Sequence, residues 1–145
     1  FMGYTTRGGL PLIGLGVSAI TELEDVYAQA QPHLGAWYRA VEQGTEPKIA
    51  RGLRLTADDR LRRDVIAALM CNFEVRKDAI AQAHGIAFDD TFADELAALV
   101  PLAEEGLCEL EADRITVTPL GRLLVRNVAM AFDARADAGR FSRTV

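Results

Sequence analysis

One long apolar run lies near the start of the chain, and a helical pattern follows it. Residues 10–20 are almost all apolar and are interrupted by Gly14 and Gly16, which is typical of a strand buried on both faces that ends in a tight turn. Because such a strand needs parallel neighbours and none follows, we expect this run to be the end of a larger sheet. Thr21 and the acidic residues after it then predict a helix that reaches about Ala30.

A second helix is predicted over residues 33–43. Its apolar residues recur at intervals of three and four, and Gly44 supplies a left-handed end. The polar residues that follow include a glycine and a proline and are typical of a linker. We therefore predict one unit over residues 1–48, a second over residues 49–135, and a tail over residues 136–145 that has no large apolar face.

The second predicted unit begins with three segments of helical spacing. Thr56 is the predicted N-cap of the first, whose apolar stripe runs from Leu61 to Phe73. A shorter helix is predicted over residues 77–84, and a third begins near Asp90 and ends at Gly106. The apolar residues that the third helix should turn inward are Phe92, Leu96, Leu99 and Val100.

The spacing of apolar residues changes from 3.6 to 2 after the third helix. Alternation over residues 107–111 and again at Ile115 and Val117 predicts a short hairpin. Thr118 and Pro119 then provide the N-cap and first turn of a last helix, with an apolar stripe of Leu120, Leu123, Leu124, Val128 and Phe132. The pattern predicts a mainly α chain with a small β-hairpin, whose second unit is winged-helix-like.

Composition and charge narrow the possible partners. The chain has 145 residues and a formal net charge of -5, and DNA or RNA binding needs concentrated positive charge, so we expect no nucleic-acid partner. No apolar run is long enough to cross a bilayer, and we expect no membrane partner. Two isolated cysteines, Cys71 and Cys108, favour reduced thiols within the core and a cytoplasmic location.

Two sequence features could carry chemistry. Residues 14–19 read GLGVSA and match the G-x-G-x-x-A form of a dinucleotide-binding turn, but no second strand ending in an acid follows, and we favour a tight turn that needs close backbone approach. Arg60, Arg62 and Arg63 alternate with aspartates, which favours a solvated face of ion pairs over a phosphate-binding patch. Neither feature completes a catalytic arrangement of side chains.

Several strings together resemble one enzyme family in their order along the chain. They are FMGYTT at residues 1–6, GLGVSAI at 14–20, RGLRLTADD at 51–59, RRDVI at 62–66, MCNF at 70–73 and VTPLGRLLVRN at 117–127. The whole chain resembles the C-terminal third of oxygen-independent coproporphyrinogen III oxidase. On this resemblance, the first unit is the end of a radical S-adenosylmethionine α/β barrel with its outer helices.

The resemblance implies an enzyme of haem biosynthesis. The family decarboxylates two propionates of coproporphyrinogen III to vinyl groups, giving protoporphyrinogen IX. A [4Fe-4S] cluster reductively cleaves S-adenosylmethionine there, a reductant protein supplies the electrons, and the resulting radical removes a hydrogen from the propionate β-carbon. The three cluster cysteines lie in a C-x-x-x-C-x-x-C motif that this chain lacks, so the cluster ligands lie outside it and we expect the chain alone to be inactive.

The resemblance also implies particular binding residues. The position matching Ile20 contacts S-adenosylmethionine, and Phe1 and Met2 stand at the matching Phe-Gln edge, where Met2 departs from the usual glutamine. We add the hypothesis that Arg7 and Tyr4 bind substrate propionates, since a guanidinium suits a carboxylate. The alternative is a non-catalytic haem carrier or interaction module related to the enzyme.

Overall fold

The computed structural model describes residues 10–45 and 47–135. Its backbone contacts divide the chain into two units, the first ending at Arg60 and the second starting at Leu61. The predicted tail lies outside the described residues. The predicted division at residues 48 and 49 concerns the domains of a complete enzyme and stays a prediction.

The first unit is built on a three-stranded antiparallel sheet of order β1-β2-β3. Its strands are β1 (Ile20–Glu22), β2 (Val26–Ala30) and β3 (Ile49–Arg54). The helix predicted from Thr21 to Ala30 is therefore wrong. The segment contains β-branched and aromatic residues that suit a strand, and the Leu23 N–H donates to the Val26 carbonyl to close a hairpin turn between β1 and β2.

The apolar run over residues 10–20 is not the buried parallel strand that its composition predicts. Leu12 forms an isolated antiparallel bridge with Glu22, Ile20 begins β1, and the Leu15 side chain is 89% exposed. The turn within the run does require close backbone approach, because a Cβ on Gly14 would lie 2.5 Å from the Ile20 carbonyl oxygen. A strand–helix–strand unit of the dinucleotide-binding kind does not occur among residues 10–45 and 47–54.

The helix predicted over residues 33–43 is confirmed in its extent but not in its packing. It consists of α1 (Leu34–Tyr38) and a π-helical turn (Arg39–Gln43), and Gly44 ends it with a left-handed φ of 64°. Leu34, Tyr38 and Val41 of its apolar stripe are exposed, and Ala40 is its buried residue. Among the described residues of the first unit, the buried ones are Ala30, Ala40 and Leu55.

The helices of the second half agree with the sequence prediction, except that the third predicted helix is divided into two. Their bounds are α2 (Ala57–Asn72), α3 (Lys77–His84), α4 (Phe88–Thr91) and α5 (Ala93–Glu104). The Thr56 hydroxyl accepts from the Asp59 N–H at 3.1 Å, and an Asp59 carboxylate oxygen accepts from the Thr56 N–H at 2.9 Å, so the two residues cap α2 reciprocally. Val100, predicted to face inward from α5, is exposed.

The predicted hairpin is confirmed and belongs to a larger sheet. Strands β5 (Cys108–Leu110) and β6 (Arg114–Val117) pair antiparallel, and β4 (Glu74–Arg76) pairs with the other edge of β6. Strand β4 has three residues, too few for a recognisable alternation. The described residues thus contain two three-stranded antiparallel sheets where the sequence predicted one hairpin.

The last helix is divided and turns a different face to the core from the one predicted. A 3-10 turn (Gly121–Leu124) leads into α6 (Val125–Met130), and the Thr118 hydroxyl caps the turn by accepting from the Gly121 N–H at 3.0 Å. Of the predicted stripe, Val128 and Phe132 are buried and the three leucines are exposed. A Cβ on Gly121 would collide with the Leu107 carbonyl oxygen, so the glycine permits this approach.

An arginine that we predicted to be solvated lies against the core of the second unit. The Arg62 side chain, 19% exposed, pairs with Glu95 at 2.6 Å and donates to the Phe132 carbonyl at 3.2 Å. Its guanidinium lies over the Phe92 ring, 5.5 Å from the ring centroid, and Phe92 packs edge-on against the Phe132 ring. Because α2, α5 and the chain after α6 meet at this guanidinium, the solvated reading of Arg62 is wrong.

A glycine pair tests the backbone contact at Gly121. We expect Gly121→Ala to lower the free energy of unfolding by about 2–4 kcal/mol, because its methyl group needs a backbone shift against Leu107. Gly85→Ala is the control: no atom crowds its Cβ, and the left-handed φ of 66° alone should cost about 1 kcal/mol. Urea unfolding measures both values, and equal losses would contradict the role given to Leu107.

A double-mutant cycle tests the buried ion pair. Arg62→Ala leaves the Glu95 carboxylate, which is 14% exposed, without its partner, and we expect a loss of about 3 kcal/mol with a coupling energy above about 1 kcal/mol. The Arg76–Asp78 pair, at 2.9 Å, lies at the surface, where solvent screens the two charges, and its cycle should give a clearly smaller coupling energy. A coupling as small for Arg62 and Glu95 would mean that the pair is solvated after all.

Candidate ligand-binding face of the first sheet

A cavity of about 640 Å³ lies on one face of the β1-β2-β3 sheet. We call it the sheet-face cavity, and its lining residues are Ile20, Glu22, Tyr27, Ala28, Gln29, Arg51, Gly52 and Leu53. Its size is within the range of about 300–1,000 Å³ that small-molecule sites occupy. The lining combines an apolar part with a few polar groups, as such sites usually do.

Strand register explains why these side chains share one face. Ile20 pairs with Gln29, which pairs with Arg51, and this forms one cross-strand row. The second row consists of Glu22, Tyr27 and Leu53. The two rows are two residues apart along each strand, so all six side chains leave the sheet on the same side, with about 7 Å between rows.

Hydrogen bonds fix the polar side chains of the cavity. The Arg51 Nε–H donates to Gln29 Oε1 at 2.7 Å, and the Gln29 amide donates to the Ser18 carbonyl at 3.2 Å. In the other row, the Tyr27 hydroxyl donates to Glu22 Oε1 at 3.2 Å. The cavity therefore has a cationic corner at Arg51 and an anionic corner at Glu22, which are diagonally opposite.

The chemistry of this face suits binding. Ile20, Leu53 and the Tyr27 ring offer apolar surface against which a flat or aliphatic group can pack. The polar residues offer one cation, one anion and an amide. The lining residues supply no nucleophile with an adjacent base, so they can bind and orient a ligand.

Of the residues that the family resemblance implicated, Ile20 lies in the sheet-face cavity. Phe1, Met2, Tyr4 and Arg7 lie outside the described residues. Sequence reasoning missed Tyr27, Gln29 and Arg51. The mistaken helix prediction over residues 21–30 concealed Tyr27 and Gln29. The available signal was the pair of strand-forming residues Val26 and Tyr27, which follow acidic turn residues.

The cysteines do not form a metal site. Residues 10–45 and 47–135 contain no group of three potential His, Cys, Asp or Glu ligands, and the whole sequence has two cysteines, fewer than a C-x-x-x-C-x-x-C motif needs. Cys108 is buried, and burial raises the pKa of its thiol. Cys71 is exposed, so the prediction that it fills the core is wrong.

A cluster of charged residues at the second sheet has a structural explanation. Arg114 lies within 4 Å of carboxylate oxygens of Glu74, Glu111 and Asp113, and its hydrogen bonds hold the pKa of Asp113 below its usual value. These side chains are a third or more exposed. The cluster therefore ties β6 to β4 and the hairpin turn by surface ion pairs.

None of the helices in the described part of the chain has the length and hydropathy of a membrane span.

The class of the second unit follows from a family comparison. Residues 55–124, which extend from the residue before the α2 cap to the 3-10 turn, match the model of the HemN C-terminal domain. This part of the chain is therefore similar to the HemN C-terminal domain.

The whole chain is related to oxygen-independent coproporphyrinogen III oxidases, as the sequence resemblance indicated. It is 44% identical to that oxidase from Salmonella typhimurium and 45% identical to the one from Escherichia coli K12, over the full chain and 32% of each relative. The oxidase from Thermostichus vulcanus is 45% identical, and the chain spans 46% of it. The solved structure of coproporphyrinogen III oxidase (HemN) from Escherichia coli, a radical SAM enzyme, matches 92% of the chain with a TM-score of 0.84 at 45% identity. That match covers 31% of the solved chain, so the chain spans about a third of the length of most of these relatives.

Proposed function

We propose that this chain is the C-terminal part of an oxygen-independent coproporphyrinogen III oxidase of haem biosynthesis. The proposed reaction converts two propionates of coproporphyrinogen III to vinyl groups. The observation that carries the proposal is the agreement of sequence and fold along the chain, 45% identity with a TM-score of 0.84. Identity of this level over the full chain constrains the site-forming strands as well as the helical unit.

The exposed apolar residues of the first unit support a place at the end of a larger barrel. Leu10, Ile13 and Leu15 are each more than half exposed, whereas an isolated domain rarely leaves so many neighbouring apolar side chains in water. The relatives have about twice as much further chain as this one spans, enough to cover such a surface. We propose that residues 1–48 complete the barrel and that residues 49–135 form a winged-helix-like domain.

The sheet-face cavity suits one of the two cofactors, S-adenosylmethionine. Its volume and its apolar residues suit S-adenosylmethionine, and we propose that Ile20 packs against that molecule while Phe1 and Met2 border the same site. A [4Fe-4S] cluster does not fit, because two distant free cysteines cannot supply its ligands, which would come from outside this chain. When bound in such enzymes, the cofactors supply a radical that abstracts hydrogen; Ile20, Leu53 and Tyr27 would orient the ligand and exclude water.

The remaining partners follow from the proposed reaction. Arg7 and Tyr4 would bind propionates of coproporphyrinogen III, and a reductant protein would supply electrons to the complete enzyme. The acidic helix α5, with Asp94 and Glu95 in its first turn and no basic residue in its last, speaks against a nucleic-acid partner. We propose a cytoplasmic location.

The decisive experiment expresses the complete reading frame that contains this chain, anaerobically and with its cofactors, and measures conversion of coproporphyrinogen III. We expect decarboxylation by the complete protein and none by residues 1–145 alone. A complete protein that lacks the cluster motif and binds haem without decarboxylating would contradict the enzyme and favour the alternative, a haem carrier or interaction module.

Two apolar residues of similar exposure test the role of Ile20. In the complete enzyme, Ile20→Ala should weaken S-adenosylmethionine binding by about 1–2 kcal/mol, or roughly 5- to 30-fold, because it removes part of the apolar contact. Leu12→Ala is the matched control, since Leu12 is 39% exposed against 36% for Ile20 and does not line the sheet-face cavity. Calorimetry measures both dissociation constants, and an equal change in the two variants would reject the contact.

The propionate hypothesis predicts a kinetic change in Arg7→Ala. Losing a charge-assisted hydrogen bond to a carboxylate should raise KM for coproporphyrinogen III about tenfold, with a smaller effect on S-adenosylmethionine binding. Tyr4→Phe removes one hydroxyl and should raise KM less. A KM unchanged in Arg7→Ala would place that arginine outside the substrate site.

A further inference from the structure

We propose that Arg51 is a carboxylate-binding residue of the sheet-face cavity. Its guanidinium would pair with a carboxylate of the ligand that packs against Ile20. This inference rests on the proposed function. Both small molecules of the proposed reaction carry this group: S-adenosylmethionine has one carboxylate and coproporphyrinogen III has four. The shared chemistry is therefore a carboxylate on an otherwise largely apolar ligand.

Hydrogen bonds within the first unit hold the Arg51 guanidinium in position. The Arg51 Nε–H is held by Gln29 Oε1 at 2.7 Å, and Gln29 is itself held by the Ser18 carbonyl. This relay uses one N–H of the guanidinium and leaves the four on Nη1 and Nη2 for other partners. Among the described residues, no carboxylate forms an ion pair with Arg51. An arginine held in this way is pre-organised for bidentate binding of a carboxylate.

The charges around the cavity direct an anion to this corner. Arg51 is the cation among the lining residues, and Glu22 is the acid. Glu22 lies in the other cross-strand row and on the opposite edge strand, and its carboxylate accepts from the Tyr27 hydroxyl. It does not neutralise Arg51, so a ligand carboxylate meets attraction at the Arg51 end of the face and repulsion at the Glu22 end.

The apolar and cationic groups of one row can act on one ligand. Ile20 and Arg51 are two strands apart in the same row, with Gln29 between them, which corresponds to about 10 Å between their Cα atoms. A ligand whose apolar part covers Ile20 can therefore extend a carboxylate over Gln29 to the Arg51 guanidinium. The same distance exceeds the reach of a single functional group, so the site selects a ligand with both parts.

Arg54 provides a matched control on the same strand. It is three residues from Arg51, so strand alternation places it on the opposite face, and it does not line the cavity. Its side chain is 84% exposed and lies 3.9 Å from Asp25. Replacing either arginine removes one positive charge from β3, but Arg51→Ala alone removes it from the cavity.

The experiment measures equilibrium binding to the complete, cofactor-loaded enzyme, so it does not depend on turnover. The four probes are S-adenosylmethionine, decarboxylated S-adenosylmethionine, coproporphyrin III as the stable oxidised form of the substrate, and its tetramethyl ester. Each is titrated into the wild type, Arg51→Ala, Arg51→Gln and Arg54→Ala by calorimetry or fluorescence. Circular dichroism confirms folding, and Arg51→Gln serves if the alanine variant does not fold.

We expect Arg51→Ala to weaken one carboxylate-bearing probe about 10- to 100-fold and to leave its carboxylate-free counterpart within about twofold. The probe pair that responds identifies the source of the carboxylate. The proposal is overturned if no probe responds, if the carboxylate-free counterpart weakens equally, or if Arg54→Ala has the same effect. If the wild type decarboxylates its substrate and Arg51→Ala binds all four probes normally, this inference is rejected and the proposed function stands. A wild type that neither decarboxylates nor binds the probes rejects both.

Discussion

Pairing of β2 on both of its edges determines the first unit. Because β1 and β3 both pair with β2 antiparallel, alternate residues of three strands are aligned in rows across one surface. A shift of one residue in either pairing would send Ile20 or Arg51 to the opposite face. The cavity is thus a property of strand register.

The second unit is stabilised in a different way. Its interior holds a continuous set of apolar side chains from α2, α4, α5, α6 and the β4-β6-β5 sheet, and the Phe92 and Phe132 rings pack against each other within it. One half-buried charge pair stands at the edge of these rings, where the aromatic face also attracts the guanidinium. The contrast between the two units agrees with one that folds around its own core and one that offers its apolar surface to other chain segments.

The sequence predicted the second unit well because its patterns are long and locally consistent. The α2 cap, the helix over residues 77–84 and the alternation around Ile115 each depend on neighbouring residues, and each is confirmed. The first unit was misread because an acidic turn after Thr21 is equally typical of a helix start and of a hairpin loop. Burial also could not be predicted for Leu123, since helical spacing identifies a stripe without saying whether another element covers it. The family resemblance implicated Ile20 as a cofactor contact, which stays a prediction, whereas the row that joins it to Arg51 depends on non-local strand pairing.

The outer edge of β3 affects how this chain would behave in isolation. Strand β3 has six consecutive exposed residues. The backbone N–H and C=O groups on its outer side pair with no described strand, and such an edge can add a strand from a neighbouring molecule. Ile49 and Leu53 would favour that addition, whereas two arginines on the same strand place positive charges where a second copy of β3 would have to align. Like charges facing each other across such a junction repel, so the strand that carries Arg51 also resists self-association of the sheet.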